Sequence, residues 1–336
     1  MSTSTDTVAA VVIERFTDGP LRVGTRTSPM AMHQAEQVSA LLTGRVPGLA
    51  VELVPMETSA DLWPGDLAEL GGKGNFTKEI DRALISGRVD VAVHCMKDVP
   101  GDVPLPEGTC FGAYLAREDV HDIVVTRDGG TLADLKSGAV VGTSSVRRRA
   151  QLGMYRPDLR TERVRGNVNT RLKKLDDPDG PYEALILARA GLRRIGMAER
   201  AHEVLPVEFV TAVAGAVAMV PAVGAGVIGI QARTADTPVM RLLEEFSHGP
   251  TSVHILAERT MLHMLRGHCN SPIAGHCHTT ADGKLGLFGM VFNRDGSEFV
   301  RAQAWGPADD PATLGSRVAA DLLDRGARHL IAATRK

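Results

Sequence analysis

Apolar runs of strand length alternate with helix-spaced patterns from Leu21 to about Arg241, which confines the chain to an α/β architecture with mostly parallel sheets. Leu21 to Gly24 predicts a first strand. Pro29 to Leu42 predicts a helix, because Met30, Ala31, Ala35, Val38 and Leu42 are spaced for one buried face. Ala50 to Met56, Val89 to His94 and Thr109 to Leu115 predict further strands, with a helix over Asn75 to Ser86 closed by Gly87. Arg117-Glu118-Asp119 marks a hinge into a second α/β unit. Its pieces are strands at Ala139 to Val141, Arg160 to Val164 and Ala184 to Ala188, and helices from Ser145 and over Val168 to Leu175. Val220 to Ile230 reads as a strand returning to the first unit, and two crossings imply a two-lobed clamp.

The C-terminal hundred residues follow a different pattern. A helix over Thr251 to Leu265 precedes strands at Leu285 to Phe292 and Glu298 to Ala304, joined by the hairpin signal Asn293-Arg-Asp-Gly296. Pro311 starts a last helix, and Gly326 stops it. The Ser/Thr/Asp-rich first six residues read as disordered. The stretch from Glu57 to Gly74 keeps neither period, and reads as a lid loop or an ordinary surface crossover.

Eight arginines fall between Arg147 and Arg171, in two turn-to-helix signatures: Gly-Thr-Ser-Ser-Val-Arg-Arg-Arg (142 to 149) and Val-Arg-Gly-Asn-Val-Asn-Thr-Arg (164 to 171). Glycine admits an anion close to the backbone, Ser144, Ser145 and Thr170 offer hydroxyls, and a helix start adds partial positive charge. That chemistry suits many carboxylates or phosphates; a solvated basic face is the plainer alternative. Lys+Arg total 38 against 40 Asp+Glu, a net charge of -2, which argues against a protein that coats nucleic acid. The positive charge is therefore local, and implies a small anionic partner. Four cysteines without C-x-x-C spacing fit reduced thiols in the cytoplasm, and no apolar run is long enough for a membrane span.

Lys97 and Asp98 follow the strand ending at His94, at the edge where open α/β sheets place ligands. An aspartate there can stabilise a developing cation and move a proton, with the lysine holding a substrate carboxylate; a surface ion pair is the alternative. Gly71-Gly-Lys-Gly-Asn-Phe76 lacks the spacing of a phosphate loop, but supplies flexibility, one cation and one aromatic ring. His268-Cys269 and His276-Cys277-His278 have poor spacing for a zinc site, so no metal is expected, although a zinc-bound C-terminal module remains a third reading. Cys269, in a loop leaving a helix, is a candidate nucleophile or attachment point, or a merely buried thiol.

Taken in order, these motifs resemble the porphobilinogen deaminase family, also called hydroxymethylbilane synthases. The resemblance runs from Leu21-Arg-Val-Gly-Thr-Arg-Thr-Ser-Pro29 through Gly71-Gly-Lys-Gly-Asn-Phe76, His94-Cys-Met-Lys-Asp-Val-Pro100 and Arg117-Glu-Asp119. It continues through Gly142-Thr-Ser-Ser-Val-Arg-Arg148, Arg165-Gly-Asn-Val-Asn-Thr-Arg171 and Pro221-Ala-Val-Gly-Ala-Gly226 to Cys269-Asn-Ser-Pro-Ile273. It implies a cytoplasmic, monomeric transferase of tetrapyrrole (porphyrin and heme) synthesis. Such an enzyme joins four porphobilinogens head to tail, releasing ammonia, on a dipyrromethane held by a thioether to Cys269. It implies three domains: two periplasmic-binding-protein-like lobes around a cleft (20–116 with 222–243, and 117–221) and an α+β domain (246–336) carrying the cofactor loop.

By the same resemblance Asp98 is the acid/base beside the azafulvene cation. Arg26, Arg147, Arg148, Arg165, Arg171 and Arg194 hold acetate and propionate side chains, assisted by Ser28, Lys97, Thr143 and Ser145. Gln34, Lys73 and Phe76 fall at cleft and lid positions. The chain departs from the family at Ala225, where glutamine is common, at His268 and Arg189, and at Thr211 to Met219, which reads as an insertion. A paralogue with another substrate, or a non-catalytic anion-binding clamp, is the competing reading.

Overall fold

In each of the two five-stranded sheets two pairings are parallel, joined by crossover helices, and two are antiparallel, so the mostly parallel sheets expected from the sequence are only half realised. The structure, a computed structural model, describes residues 3–63, 74–207, 218–267 and 271–334. It divides into two compact units, one of Met1–Arg117 with Val227–Ser252 and one of Glu118–Gly226 with Val253–Lys336, so the boundary falls within the helix Gly249–Leu265.

In the first unit β1 (Leu21–Arg26), β2 (Val51–Met56), β3 (Val91–Cys95), β4 (Thr109–Tyr114) and the late strand β10 (Ile228–Arg233) form one sheet in the order β2-β1-β3-β10-β4. β1 runs parallel to β2 and β3, while β10 is antiparallel to both of its neighbours. The helix Pro29–Arg45 lays Ala35, Val38 and Leu42 on this sheet, the face its spacing predicts.

The second unit repeats that layout. Strands β5 (Asp122–Thr126), β6 (Val140–Gly142), β7 (Arg160–Glu162), β8 (Ala184–Ala188) and β9 (Glu203–Val204) take the order β7-β6-β8-β5-β9, again with an antiparallel strand in fourth place. That place is filled in each sheet by the strand that follows a crossing, β5 after the first and β10 after the second. The chain thus forms two lobes, each with its own five-stranded sheet, and the first is completed by the strand that follows the second crossing. β11 (Ile273–Thr279), β12 (Leu285–Phe292) and β13 (Phe299–Gly306) form an antiparallel three-stranded sheet, backed by the helix Pro311–Asp324.

Several sequence expectations change. Of the first six residues, Thr3 to Asp6 belong to a helix, Thr3–Arg15, and the first two lie outside the described residues; further along it Val12 is fully buried against the helix Thr237–Glu244 and Arg15 pairs with Asp236 at 3.2 Å. Tertiary docking, not local propensity, holds it. The returning strand starts at Ile228 rather than Val220, because Pro221 lacks an amide proton and Gly224 and Gly226 have left-handed φ of 75° and 77°. A Cβ on Gly226 would lie 2.3 Å from the Glu118 carbonyl oxygen, so the two crossings pass in backbone contact there. His276-Cys277-His278 lies within β11, placing Cys277 in the core and both histidines on the opposite face, ring centroids 6.1 Å apart. Gly326, with φ of 102°, does end the helix at Asp324, but a further short helix, Ala327–Ala332, follows it.

Candidate active site

Each sheet delivers its polar side chains from the carboxyl ends of its parallel strands, the edge where such sheets bind ligands. In the first unit Arg26 is the last residue of β1, and Asp98 closes a tight 3₁₀ turn, Met96–Asp98, directly after the adjacent strand β3. The Asp98 carboxylate accepts a hydrogen bond from Arg26 Nη1 at 3.4 Å. The same guanidinium pairs with Asp61 and stacks over the Phe76 ring, 4.5 Å from its centroid. Burial alone would lower the Arg26 pKa, but its bond to Asp61 and the charge of Asp98 outweigh it, so Arg26 is raised and stays charged. Burial likewise opposes ionisation of Asp61, and is overcome by the bonds from Arg26 and Thr58.

Asp61 had no sequence signal beyond Thr58-x-x-Asp61. Its carboxylate accepts from the Thr58 amide at 3.2 Å and hydroxyl at 2.7 Å, the reciprocal half of a capping box. Lys97 is exposed, and Gln34 is buried with its Nε2 unpartnered. Ser28 is occupied: its hydroxyl caps the helix Pro29–Arg45 by accepting the Ala31 amide at 3.3 Å. Lys73 and most of the expected lid loop lie outside the described residues, as do Cys269, His268 and most of the inserted segment.

In the second unit the turn after β6 carries Thr143, fully buried, whose hydroxyl accepts the Ser145 amide, while the Ser145 hydroxyl caps the helix Val146–Tyr155 by accepting the Arg148 amide at 3.4 Å. Arg147 and Arg148 point inward rather than out. Arg147 Nη2 donates to Asp122 Oδ2 at 2.6 Å and Arg148 Nη2 to Asp122 Oδ1 at 2.7 Å. Burial opposes the charge on Asp122, yet the two arginines hold its pKa down at about 2. The Nε–H groups of Arg147 and Arg148 are buried without a hydrogen-bond partner, and so is that of Arg194, whose Nη2 reaches the Gly226 carbonyl at 3.5 Å.

Arg171 lies near Arg148 and Arg165. Burial first, and then the positive charges of those two neighbours, pull its pKa down to about 10. Gly166, with φ of 107°, turns the chain so that Asn167 can cap the helix Val168–Asp176. Orphaned guanidinium N–H groups beside crowded like charge fit a polycarboxylate such as dipyrromethane. One further residue escaped the sequence reading. Glu258, fully buried, accepts the amides of Gly224 and Cys277, each at 2.8 Å, and so fixes the loop that contains Ala225. Arg189, the added charge noted in the sequence, pairs with Asp119 at 2.9 Å and shares that carboxylate with Arg193 at 3.6 Å.

Among the described residues no group of three or more His, Cys, Asp or Glu is placed to hold a metal ion, and no helix is long and apolar enough to cross a membrane.

Residues 21–241 match the family model for the porphobilinogen deaminase dipyromethane cofactor binding domain, and residues 253–324 match that for the porphobilinogen deaminase C-terminal domain. Among curated relatives, porphobilinogen deaminase 2 of Streptomyces coelicolor is 47% identical over 93% of this chain and 96% of its own. Porphobilinogen deaminase of Desulforudis audaxviator is 44% identical over 93% and 97%. Of the solved structures, the methionine binding protein MetQ is 15% identical over 67% of this chain and 87% of its own, with a TM-score of 0.39; the strand orders above, not this likeness, define the lobes. By two family models that together span most of its length, and by these identities, the chain belongs to the porphobilinogen deaminase family.

Proposed function

We propose that the protein is a hydroxymethylbilane synthase, joining four porphobilinogens head to tail with release of ammonia at each step. Membership of the family over nearly the whole chain supports the activity. The observation that carries it to this chain's own residues is the gathering of Arg148, Arg165 and Arg171, where burial first and then the neighbouring positive charges bring the Arg171 guanidinium down to about 10. Such a field is costly unless an anion of several carboxylates enters it, and every added pyrrole brings more of them.

Bound through Cys269, the dipyrromethane would supply the free pyrrole carbon at which the first new bond forms, and each added ring would offer the next. Asp98 meets the positive charge that develops as the C–N bond of porphobilinogen breaks, its electron pair leaving on ammonia. After the new C–C bond forms, the ring proton departs, and the same carboxylate accepts it. Arg26 holds Asp98 in place, Phe76 covers one face of that guanidinium, and the exposed Lys97 offers its ammonium to a substrate carboxylate. Arg147, Arg148, Arg165, Arg171 and Arg194 bind acetate and propionate groups; Lys73 and Gln34 contribute from the lid and cleft. Ser28, Thr143 and Ser145 serve chiefly by setting the helix starts. The three-domain division, the monomeric state and a cytoplasmic location belong to the same proposal.

Intact-mass measurement tests it. The purified protein carries an adduct of two linked pyrroles that Cys269→Ala lacks, while Asp98→Asn keeps the adduct and loses roughly 100-fold or more in turnover. Full activity in either variant refutes the assignment.

A further inference from the structure

Asp122 opens β5, the antiparallel member of its sheet, and pairs in register with Ala188, the last residue of β8. The reversed strand direction is what brings this carboxylate to the carboxyl edge of β6 and β8. Successive side chains on a helix diverge by about 100°, so Arg147 and Arg148 would not ordinarily converge. Here a single carboxylate, itself 2% exposed, takes one guanidinium on each oxygen. Backbone carbonyls finish the clamp: Arg147 Nη1 donates to Val220, and Arg148 Nη1 to Ile186 at 2.9 Å.

A guanidinium has five N–H donors, and each of these is shown spending one on Asp122 and one on a carbonyl. Both keep an unpartnered, buried Nε–H. One negative charge against two positive leaves the pair net cationic, but less repulsive than two bare guanidiniums. We infer that Asp122 is a positioning residue of the anion site: it turns Arg147 and Arg148 onto one spot and sets the net charge they offer to the pyrrole carboxylates. The inference rests on the functional reading above. An ion pair of purely structural use would make the same contacts, but would govern stability alone.

The test compares wild type, Asp122→Asn and Asp122→Glu as full-length protein purified in the same way, by intact mass for adduct occupancy, by thermal melting for fold, and by steady-state kinetics. With Asp122→Asn, folded molecules should carry the two-pyrrole adduct several-fold less often. Those that carry it should show KM for porphobilinogen raised about tenfold with kcat changed far less, the scale of one lost charge-assisted bond. Asp122→Glu should restore occupancy in part. Wild-type occupancy and KM in folded Asp122→Asn overturn the inference. Should Asp122→Asn not fold, Asp122→Glu decides: lowered occupancy in a folded protein supports the positioning role, and unchanged occupancy and KM overturn it. Absence of the adduct from wild type would instead remove the functional reading on which the inference stands.

Discussion

Each lobe has a carboxylate buried at a sheet edge among arginines, Asp90 in the first and Asp122 in the second, but at opposite edges of equivalent sheets. Asp90 stands just before β3, at the amino edge, where Arg22 and Arg233 hold it at 3.0 and 3.1 Å and the Arg22 amide adds a bond at 2.9 Å. Its arginines reach in from solvent and clasp β1 to β10. Asp122 stands at the carboxyl edge, and its arginines are themselves buried beneath the ligand side. The same ion-pair chemistry is thus a staple in one place and part of the binding surface in the other. Strand direction decides which.

The largest test of that contrast is Asp90→Ala. Removing the buried carboxylate breaks a pair whose arginines are part-exposed and can resolvate, and costs up to about 3 kcal/mol, the low end for a buried pair. Urea unfolding should show that loss, while adduct occupancy per folded molecule stays at the wild-type level. A fall in occupancy like that expected of Asp122→Asn would erase the distinction between the two edges.

Acid should also separate the lobes. His94, in β3, is buried, and that burial above all, with Arg26 adding repulsion, lowers its pKa from 6.5 to about 4. A depressed histidine contributes stability that is whole above pH 6.5 and is lost as pH falls through about 4, here about 3 kcal/mol. Asp122, lowered from 3.8 to about 2, keeps its contribution down to about pH 4 and loses about 2 kcal/mol below it. Unfolding followed from pH 7 to 2 should show both windows, with His94→Gln flattening only the upper one and Asp122→Asn only the lower. A single window removed equally by both variants would contradict the assignment.

Much of this was legible in the sequence because strands and helices announce themselves by apolar period. The helix from Pro29, the strand Ala184–Ala188 and the strand before Asp98 are readable that way, and the two arginine turns by their glycine, serine and asparagine signatures. Long-range pairing has no such period. Asp122 is merely a polar residue ahead of Ile-Val-Val in the chain, 25 positions from Arg147, and nothing local marks it as the arginines' partner. The histidines of β11 did alternate with buried Cys277, a two-residue period outshouted by their metal-like chemistry. The helix Thr3–Arg15 escaped notice because its anchor, Asp236, lies 221 residues from Arg15.

The smallest expected effect concerns Ser28 and Ser145, which occupy matching places at the helix starts after β1 and β6. By resemblance both assist carboxylate binding, but in the structure both hydroxyls accept a backbone amide, at 3.3 and 3.4 Å. A hydroxyl oxygen that caps a helix still has its own proton to donate, so the two roles are compatible and differ in what substitution costs. Capping alone predicts a loss of about 1 kcal/mol for serine to alanine, nearly full recovery with aspartate, and unchanged KM. Donation to a substrate carboxylate predicts that aspartate fails at KM while rescuing stability, since a carboxylate caps but cannot donate and repels the ligand. Ser145→Asp sets that repulsion beside Arg148, whose charge softens it, whereas Ser28→Asp lies in the lobe where Asp61 and Asp98 already compete for Arg26. The KM penalty should therefore be greater at position 28 than at 145, and the reverse order would place the ligand's carboxylates away from Arg26.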